Sequence, residues 1–240
     1  MNILVTGGSS GLGESLTKRI AQDKDINVYF TYVNAIEKAE SLERKFTNVT
    51  AVKCDFRVSL EVEDLCKNIK DWDIDVLINN AYTGEFLKSY FHKTEPNDFL
   101  DAFRDNIYPT IKITQAAIAV FRKKKFGKII TVLTAALANI PPIGSAVYVA
   151  NKAYLQQLSK VWATENSKFN ISANTVSPAF MQTGFTNDMD ERIVEQIIAN
   201  HPLKRLLTID EVADSVFFLV NSSQQINGID LMLNAGTSLK

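Results

Sequence analysis

The sequence is poor in the residues that metal sites, disulfide frameworks and membrane spans require. Its 240 residues include two cysteines, Cys54 and Cys66, and two histidines, His92 and His201. The histidines lie far from one another and from the cysteines, which argues against a His/Cys metal site. Two lone thiols fit a reducing compartment. No apolar run approaches the ~20 residues of a membrane helix. The chain opens directly into Asn2-Ile3-Leu4-Val5, without a basic lead-in, so a cytoplasmic protein without a membrane partner is expected. Neither charge sign dominates: 26 Lys and Arg face 27 Asp and Glu, a formal net charge of −1. That balance provides no basic field for nucleic acid. Repeats, low-complexity stretches and linkers are also missing.

What remains is 46% hydrophobic and 22% charged, a globular composition long enough for one core. A single domain over residues 1–240 is expected. Short apolar, β-branched runs alternate with amphipathic stretches. Strands are expected at Asn2–Thr6, Asn27–Tyr32, Thr50–Cys54, Val76–Asn79, 128–134, Ile171–Val176 and Ile229–Leu233. Helices are expected at Gly13–Gln22, Ala35–Lys45, Leu60–Ile69, Asp98–Phe121, 145–166 and Asp210–Val220. This rhythm predicts an α/β fold: one doubly wound, Rossmann-like parallel sheet with helices on both faces.

Two patterns carry chemistry. The first is Tyr148-Val149-Ala150-Asn151-Lys152 at the start of a helix, just beyond a strand end, where open α/β sheets place ligands. Residues four apart share a helix face. An ammonium beside a phenol lowers the pKa of the phenol and fits it for proton exchange with a carbonyl or alcohol. The same spacing recurs at Tyr108 and Lys112, where no strand precedes it and a surface pair is expected. The second pattern is Thr6-Gly7-Gly8-Ser9-Ser10-Gly11-Leu12-Gly13, between the first strand and the first helix. Its glycines permit a tight turn and close backbone approach, and the helix N-terminus attracts a pyrophosphate. The second strand ends Phe30-Thr31-Tyr32-Val33-Asn34, with no carboxylate to hold a ribose 2′-hydroxyl and no Arg or Lys beside it. The missing negative charge favours NADP(H) over NAD(H).

Taken in order, Thr6–Gly13, Asn79-Asn80-Ala81, Asn106, Tyr148-x-x-x-Lys152 and Ser177-Pro178-Ala179 with Thr183 resemble the short-chain dehydrogenase/reductase family. The type resembled is the 3-oxoacyl-acyl-carrier-protein reductases, and the likeness spans essentially the whole chain. It implies cofactor contacts from Gly7, Ser9, Ser10, Gly11, Leu12 and Gly13, from Asp55 and Phe56 after the third strand, and from Asn79, Asn80 and Ala81 after the fourth. Pro178 and Thr183 would meet the nicotinamide end. Tyr148 would be the acid/base. Lys152 would bind the nicotinamide ribose and lower the pKa of Tyr148. Asn106 would kink its helix around a water in a proton relay to that lysine. The implied activity interconverts a carbonyl and a secondary alcohol, with a 3-oxoacyl thioester as leading substrate and a homotetramer or homodimer as the assembly.

The sequence departs from that pattern at four points, one of them Asn234-Ala235-Gly236-Thr237 where paired glycines are common. Counting back from Tyr148, the usual active-site serine falls at Ala135, with Thr134 able to replace it only if the register shifts by one. The site would then act without that donor, act through Thr134, or bind cofactor in a structural or regulatory role. The glycine usual after Asn-Asn-Ala is Tyr82, and the one usual after Pro178 is Ala179. An epimerase or dehydratase of the extended families is a further reading, for which the chain is short. Apolar substrate contacts are expected from Tyr82, Phe86, Ile140, Pro141, Ile143, Phe180, Met181 and Phe185, with Phe180–Asn200 as a lid. Arg122-Lys123-Lys124-Lys125 offsets the negative end of the long helix, or docks an acidic carrier protein.

Overall fold

A computed structural model describes residues 1–184 and 190–237. Seven strands form one sheet: β1 Asn2–Val5, β2 Asn27–Tyr32, β3 Val49–Lys53, β4 Val76–Asn79, β5 Gly127–Val132, β6 Ile171–Pro178 and β7 Asp230–Leu233. Their spatial order is β3-β2-β1-β4-β5-β6-β7, and every pairing is parallel. Alternation along each strand divides the core. Ile3, Val5, Val76, Ile78, Ile130 and Val132 face helices α1 (Gly11–Ala21), α2 (Ile36–Lys45) and α8 (Ile209–Asn221). Leu4, Leu77, Ile129 and Leu133 face α3 (Ser59–Asp71), α5 (Tyr108–Lys124) and α6 (Ala146–Asn166). Parallel strands buried on both faces account for the nearly continuous apolar runs in the sequence.

The single helix expected over Asp98–Phe121 is three segments: α4 Pro96–Ala102, a π-helical turn Phe103–Ile107, and α5. Pro109 has no N–H to continue the i→i−4 ladder, and Asn106 Nδ2 occupies the Ala102 carbonyl at 3.0 Å. One helix was also unforeseen: α7, Glu191–Asn200, capped by Asp190, whose carboxylate accepts from the Arg192 amide at 2.9 Å. The other expected elements are present, with ends shifted by one to two residues. Among the described residues, no helix is long and apolar enough to cross a membrane.

Lys128, buried within β5, sends its ammonium to the open C-terminus of α8. It donates to the Val220 carbonyl at 2.7 Å, the Leu219 carbonyl at 3.4 Å, and the Ser222 carbonyl. The helix-end carbonyls thus serve as its counter-charge. Lys128→Met should cost about 1–3 kcal/mol, because those carbonyls lose their buried donor. A fall in the urea midpoint at unchanged slope is the measurement. Gly13→Ala should be at least as costly, since a Cβ there would stand 1.9 Å from the Gly7 carbonyl oxygen. Overpacking of this kind costs about 1–3 kcal/mol or more, read in the same denaturation series.

Candidate active site

The carboxyl ends of the strands open into one cleft of about 1200 Å³. It lies over the point between β1 and β4 where the strand order reverses, where doubly wound sheets bind ligands. The glycine loop forms its floor. Gly7 adopts φ 68° and Gly11 φ 51°, both in the left-handed region. Gly13 rests against the Gly7 carbonyl, and a Cβ on Gly8 would meet Phe30 Cβ at 2.5 Å. Polar side chains fix this turn. Thr6 Oγ1 accepts from the amides of Asn80 and Ala81, each at 3.0 Å, while Asn80 Nδ2 donates to the carbonyls of Thr6 (3.0 Å) and Gly7 (3.2 Å). The Gly7 amide donates to Thr31 Oγ1 at 2.8 Å, and Thr17 Oγ1 donates to the Gly8 and Gly13 carbonyls at 3.0 and 2.9 Å. Thr17 and Thr31 were not read from the sequence as site residues, although both are fully buried hydroxyls flanking the loop.

Ser10 occupies the N-cap position of α1 but makes no side-chain cap. The first-turn backbone and the positive end of the helix therefore face the cleft, a cradle suited to a pyrophosphate. At the β2–β3 end, Asp55 and Phe56 line the wall as expected, together with Thr31 to Ala35. The expectation that no cation stands there is corrected: Lys38, from α2, and Arg57, beyond β3, line the same wall. Neither residue belongs to β2, so reading that strand's end could not find them. Arg57 grips the Asp55 carboxylate with two nitrogens, the closer contact at 2.6 Å, and holds that carboxyl below the usual range. Lys38 Nζ lies 3.7 Å from Glu14 Oε2.

At the opposite end, Tyr148 and Lys152 share the inner face of α6. Lys152 Nζ donates to the Val132 carbonyl at 2.8 Å and stands 5.7 Å from the Tyr148 ring centroid. Burial draws the lysine pKa down to about 8. Burial pushes Tyr148 the other way, well above its ordinary value, against the pull of a hydrogen bond with Thr134. The expected lowering of Tyr148 by Lys152 is therefore not what this arrangement gives. The loss of water is the largest influence on the phenol.

Thr134 is a hydrogen-bond partner of Tyr148, and Ala135 begins a 3₁₀ turn, Ala135–Leu137. The count that put Ala135 in the serine's place crossed the 139–145 loop, whose length nothing in the sequence fixes. Thr134, two residues beyond the end of β5, is extended at φ −160° and ψ 142° and caps that turn, its Oγ1 accepting from the Ala136 amide at 3.3 Å.

Pro178, Ala179 and Thr183 line the cleft, as do Ala81, Tyr82, Phe86, Ile140, Phe180 and Met181. Pro142 takes the lining place expected of Pro141, and Ile143 is largely exposed. Phe185 lies outside the described residues. The unforeseen α7 contributes Ile193, Gln196 and Ile197, which alternate with charged residues at helical spacing, a signal the sequence did offer.

Two expected site residues stand behind the wall. Asn79 Nδ2 donates to Thr114 Oγ1 at 3.1 Å and so ties β4 to α5. Asn106 clasps Thr83, its Oδ1 accepting from the Thr83 amide at 2.7 Å and its Nδ2 donating to the Thr83 carbonyl at 3.0 Å. Its contacts hold the loop after β4, whereas those of the Lys152 ammonium run to Val132. The second Tyr-x-x-x-Lys pair is at the surface, with Tyr108 half exposed and Lys112 paired to Glu63 at 3.3 Å. In the basic cluster, Arg122 donates to Asn166 Oδ1 at 2.8 Å and Lys124 bridges Asp73 and Asp75, so both serve the fold.

Comparisons with known proteins agree with this geometry. The family model described as Enoyl-(Acyl carrier protein) reductase matches residues 7–238. Carbonyl reductase family member 4 from Xenopus laevis is 31% identical over 237 residues, 98% of this chain and 97% of that one. The 3-oxoacyl-acyl-carrier-protein reductase FabG of Staphylococcus epidermidis is 29% identical over 242 residues, 97% of each chain. Among solved structures, a short chain dehydrogenase/reductase family protein superposes with a TM-score of 0.87 at 27% identity, covering 100% of this chain and 98% of that one. ElxO with NADP bound gives 0.86 at 25%, covering 98% and 97%. A strand-end cleft floored by a glycine turn, with a half-buried tyrosine and a buried lysine one helical turn apart, thus coincides with full-length similarity to oxidoreductases, and the chain belongs to the short-chain dehydrogenase/reductase family.

Proposed function

We propose that this protein is an NADP(H)-dependent reductase that converts a carbonyl to a secondary alcohol, with Tyr148 as proton donor. The observation that carries the reading is the hydroxyl pair Thr134–Tyr148 in the cleft, with Lys152 one helical turn beyond the phenol. The nicotinamide, when bound, supplies the hydride. The remaining work falls to the chain's own groups. Two adjacent hydroxyls can both donate to one substrate oxygen, Thr134 polarising it and Tyr148 passing its proton as charge develops there. A phenol that resists ionisation remains a proton donor at neutral pH, which suits reduction. Lys152, fixed by the Val132 carbonyl, keeps a positive charge near the phenol as its proton leaves. Apolar walls from Phe86, Phe180, Met181 and Ile193 exclude water from this end.

Cofactor preference follows from charge. Lys38 and Arg57 give the β2–β3 end two cations, with no carboxylate on β2 to repel a phosphate. ElxO, similar over nearly the whole chain, has NADP bound, and that likeness supports the same reading. Similarity to 3-oxoacyl-acyl-carrier-protein reductases makes a 3-oxoacyl thioester the leading substrate. The silent cofactor-binding role drew its support from Ala135; a Thr134 hydroxyl bonded to Tyr148 weighs against it.

Tyr148→Phe should lower kcat for carbonyl reduction by about 10²–10⁴ while leaving NADPH binding intact, followed by NADPH absorbance and by fluorescence titration. Thr134→Val should cost about 10²–10³ in kcat, whereas Ala135→Ser should leave it within about twofold. The opposite ranking would return the donor position to residue 135. Lys38→Glu should weaken NADPH binding about tenfold or more and spare NADH, because only the former carries a 2′-phosphate.

A further inference from the structure

The residue after Asn79-Asn80-Ala81 brings a large ring into the heart of the site. Tyr82 packs edge to face on Tyr148, with ring centroids 5.1 Å apart and planes at 84°. Its own ring lies 5.2 Å from Lys152 Nζ, slightly nearer than the Tyr148 ring at 5.7 Å. Its hydroxyl meets Asn151 Nδ2 at 3.5 Å. One side chain thus meets Tyr148, Asn151 and Lys152 together on α6. Phe86, from the same loop, packs on Tyr148 with the same 5.1 Å separation and 84° angle.

The position of this ring is built into the backbone. On one side, the Ala81 amide is held by Thr6 Oγ1 at 3.0 Å. On the other, the Thr83 amide and carbonyl are both held by Asn106. The buried Asn106 therefore helps fix where Tyr82 can stand.

We propose that Tyr82 is a positioning residue for the Tyr148–Lys152 pair, its ring excluding water from the phenol and sharing the ammonium, so that the site favours giving a proton to a carbonyl over taking one from an alcohol. The inference rests on the reductase reading above. Both effects of the ring act in one direction. Excluded water disfavours the phenolate. A ring face that attracts the ammonium holds part of its charge away from the Tyr148 oxygen. Burial already raises both phenols. Among the described residues lining this end of the cleft, no other charge competes closely. Lys152 comes from α6 itself, and Thr134 and Phe86 are neutral. Residues 178–184 across the cleft carry no charge, and His201 beyond α7 is the titratable group on that wall. Lys38, Asp55 and Arg57 belong to the β2–β3 end.

The experiment is the pH dependence of kcat for carbonyl reduction and for the reverse oxidation, in the wild type, Tyr82→Phe and Tyr82→Gly. Tyr82→Phe keeps the ring and should keep both profiles. Tyr82→Gly should move the alkaline fall of reduction and the alkaline rise of oxidation to lower pH, each by about one unit. Tyr82→Gln, which retains bulk but brings a hydrated carboxamide, should show the same displacement and serves if the glycine variant does not fold. Rates that change without any movement of the profiles would mean that Tyr82 only fills space, and would overturn the inference alone. A wild type that turns over no carbonyl or alcohol would overturn the reductase reading and this inference with it.

Discussion

Helix α1 can rest on the Gly7 carbonyl only because Gly13 has no side chain, and the cleft is built outward from that contact. The approach turns the first-turn backbone of α1 towards the crevice and sets the height of the glycine loop above the sheet. It would be fragile by itself, since turns with left-handed glycines have many alternatives in the unfolded chain. Thr6, Asn80, Thr17 and Thr31 remove those alternatives by binding the loop's carbonyls and amides from three sides. Short polar side chains suit this work, because they satisfy buried backbone groups at little cost in side-chain entropy.

The same economy appears at the next layer. Asn79 ties β4 to α5, and Asn106 ties the π-helical turn to the loop after β4. Both lie outside the wall of the cleft, yet they decide where its wall stands. Pro109 contributes by what it lacks: the missing amide loosens the helix into the wider turn that carries Asn106. A break in a helix thereby becomes the anchor for the aromatic loop over Tyr148.

Charge is distributed unevenly along the cleft. The β2–β3 end carries ion pairs, with Arg57 drawn onto Asp55 and Lys38 near Glu14. The Tyr148 end is dry, and Lys152 has a carbonyl and two ring faces as partners instead of a carboxylate. Burial without a counter-ion draws the lysine down to about 8, close to the pH at which such a group would operate. An anionic, flexible end of a ligand and an apolar, reacting end would find opposite environments some strands apart on one sheet.

Much of the architecture was legible in the sequence, because parallel strands buried on both faces must be apolar runs and their crossover helices must be amphipathic. The sequence also marked the glycine turn and the Tyr148–Lys152 spacing, since each depends on neighbours within a few residues. It left the donor beside Tyr148 undecided, because a count through an irregular loop carries no geometric information, whereas the structure shows Thr134 hydrogen-bonded to the phenol. Nor could it reveal that Lys38 and Arg57 share a wall, that Asn106 reaches Thr83, or that Tyr82 faces Lys152. Those pairs come from different crossovers. Local chemistry fixed which groups this protein has to work with, and only the folding of distant segments onto the carboxyl edge of one sheet decided which of them meet.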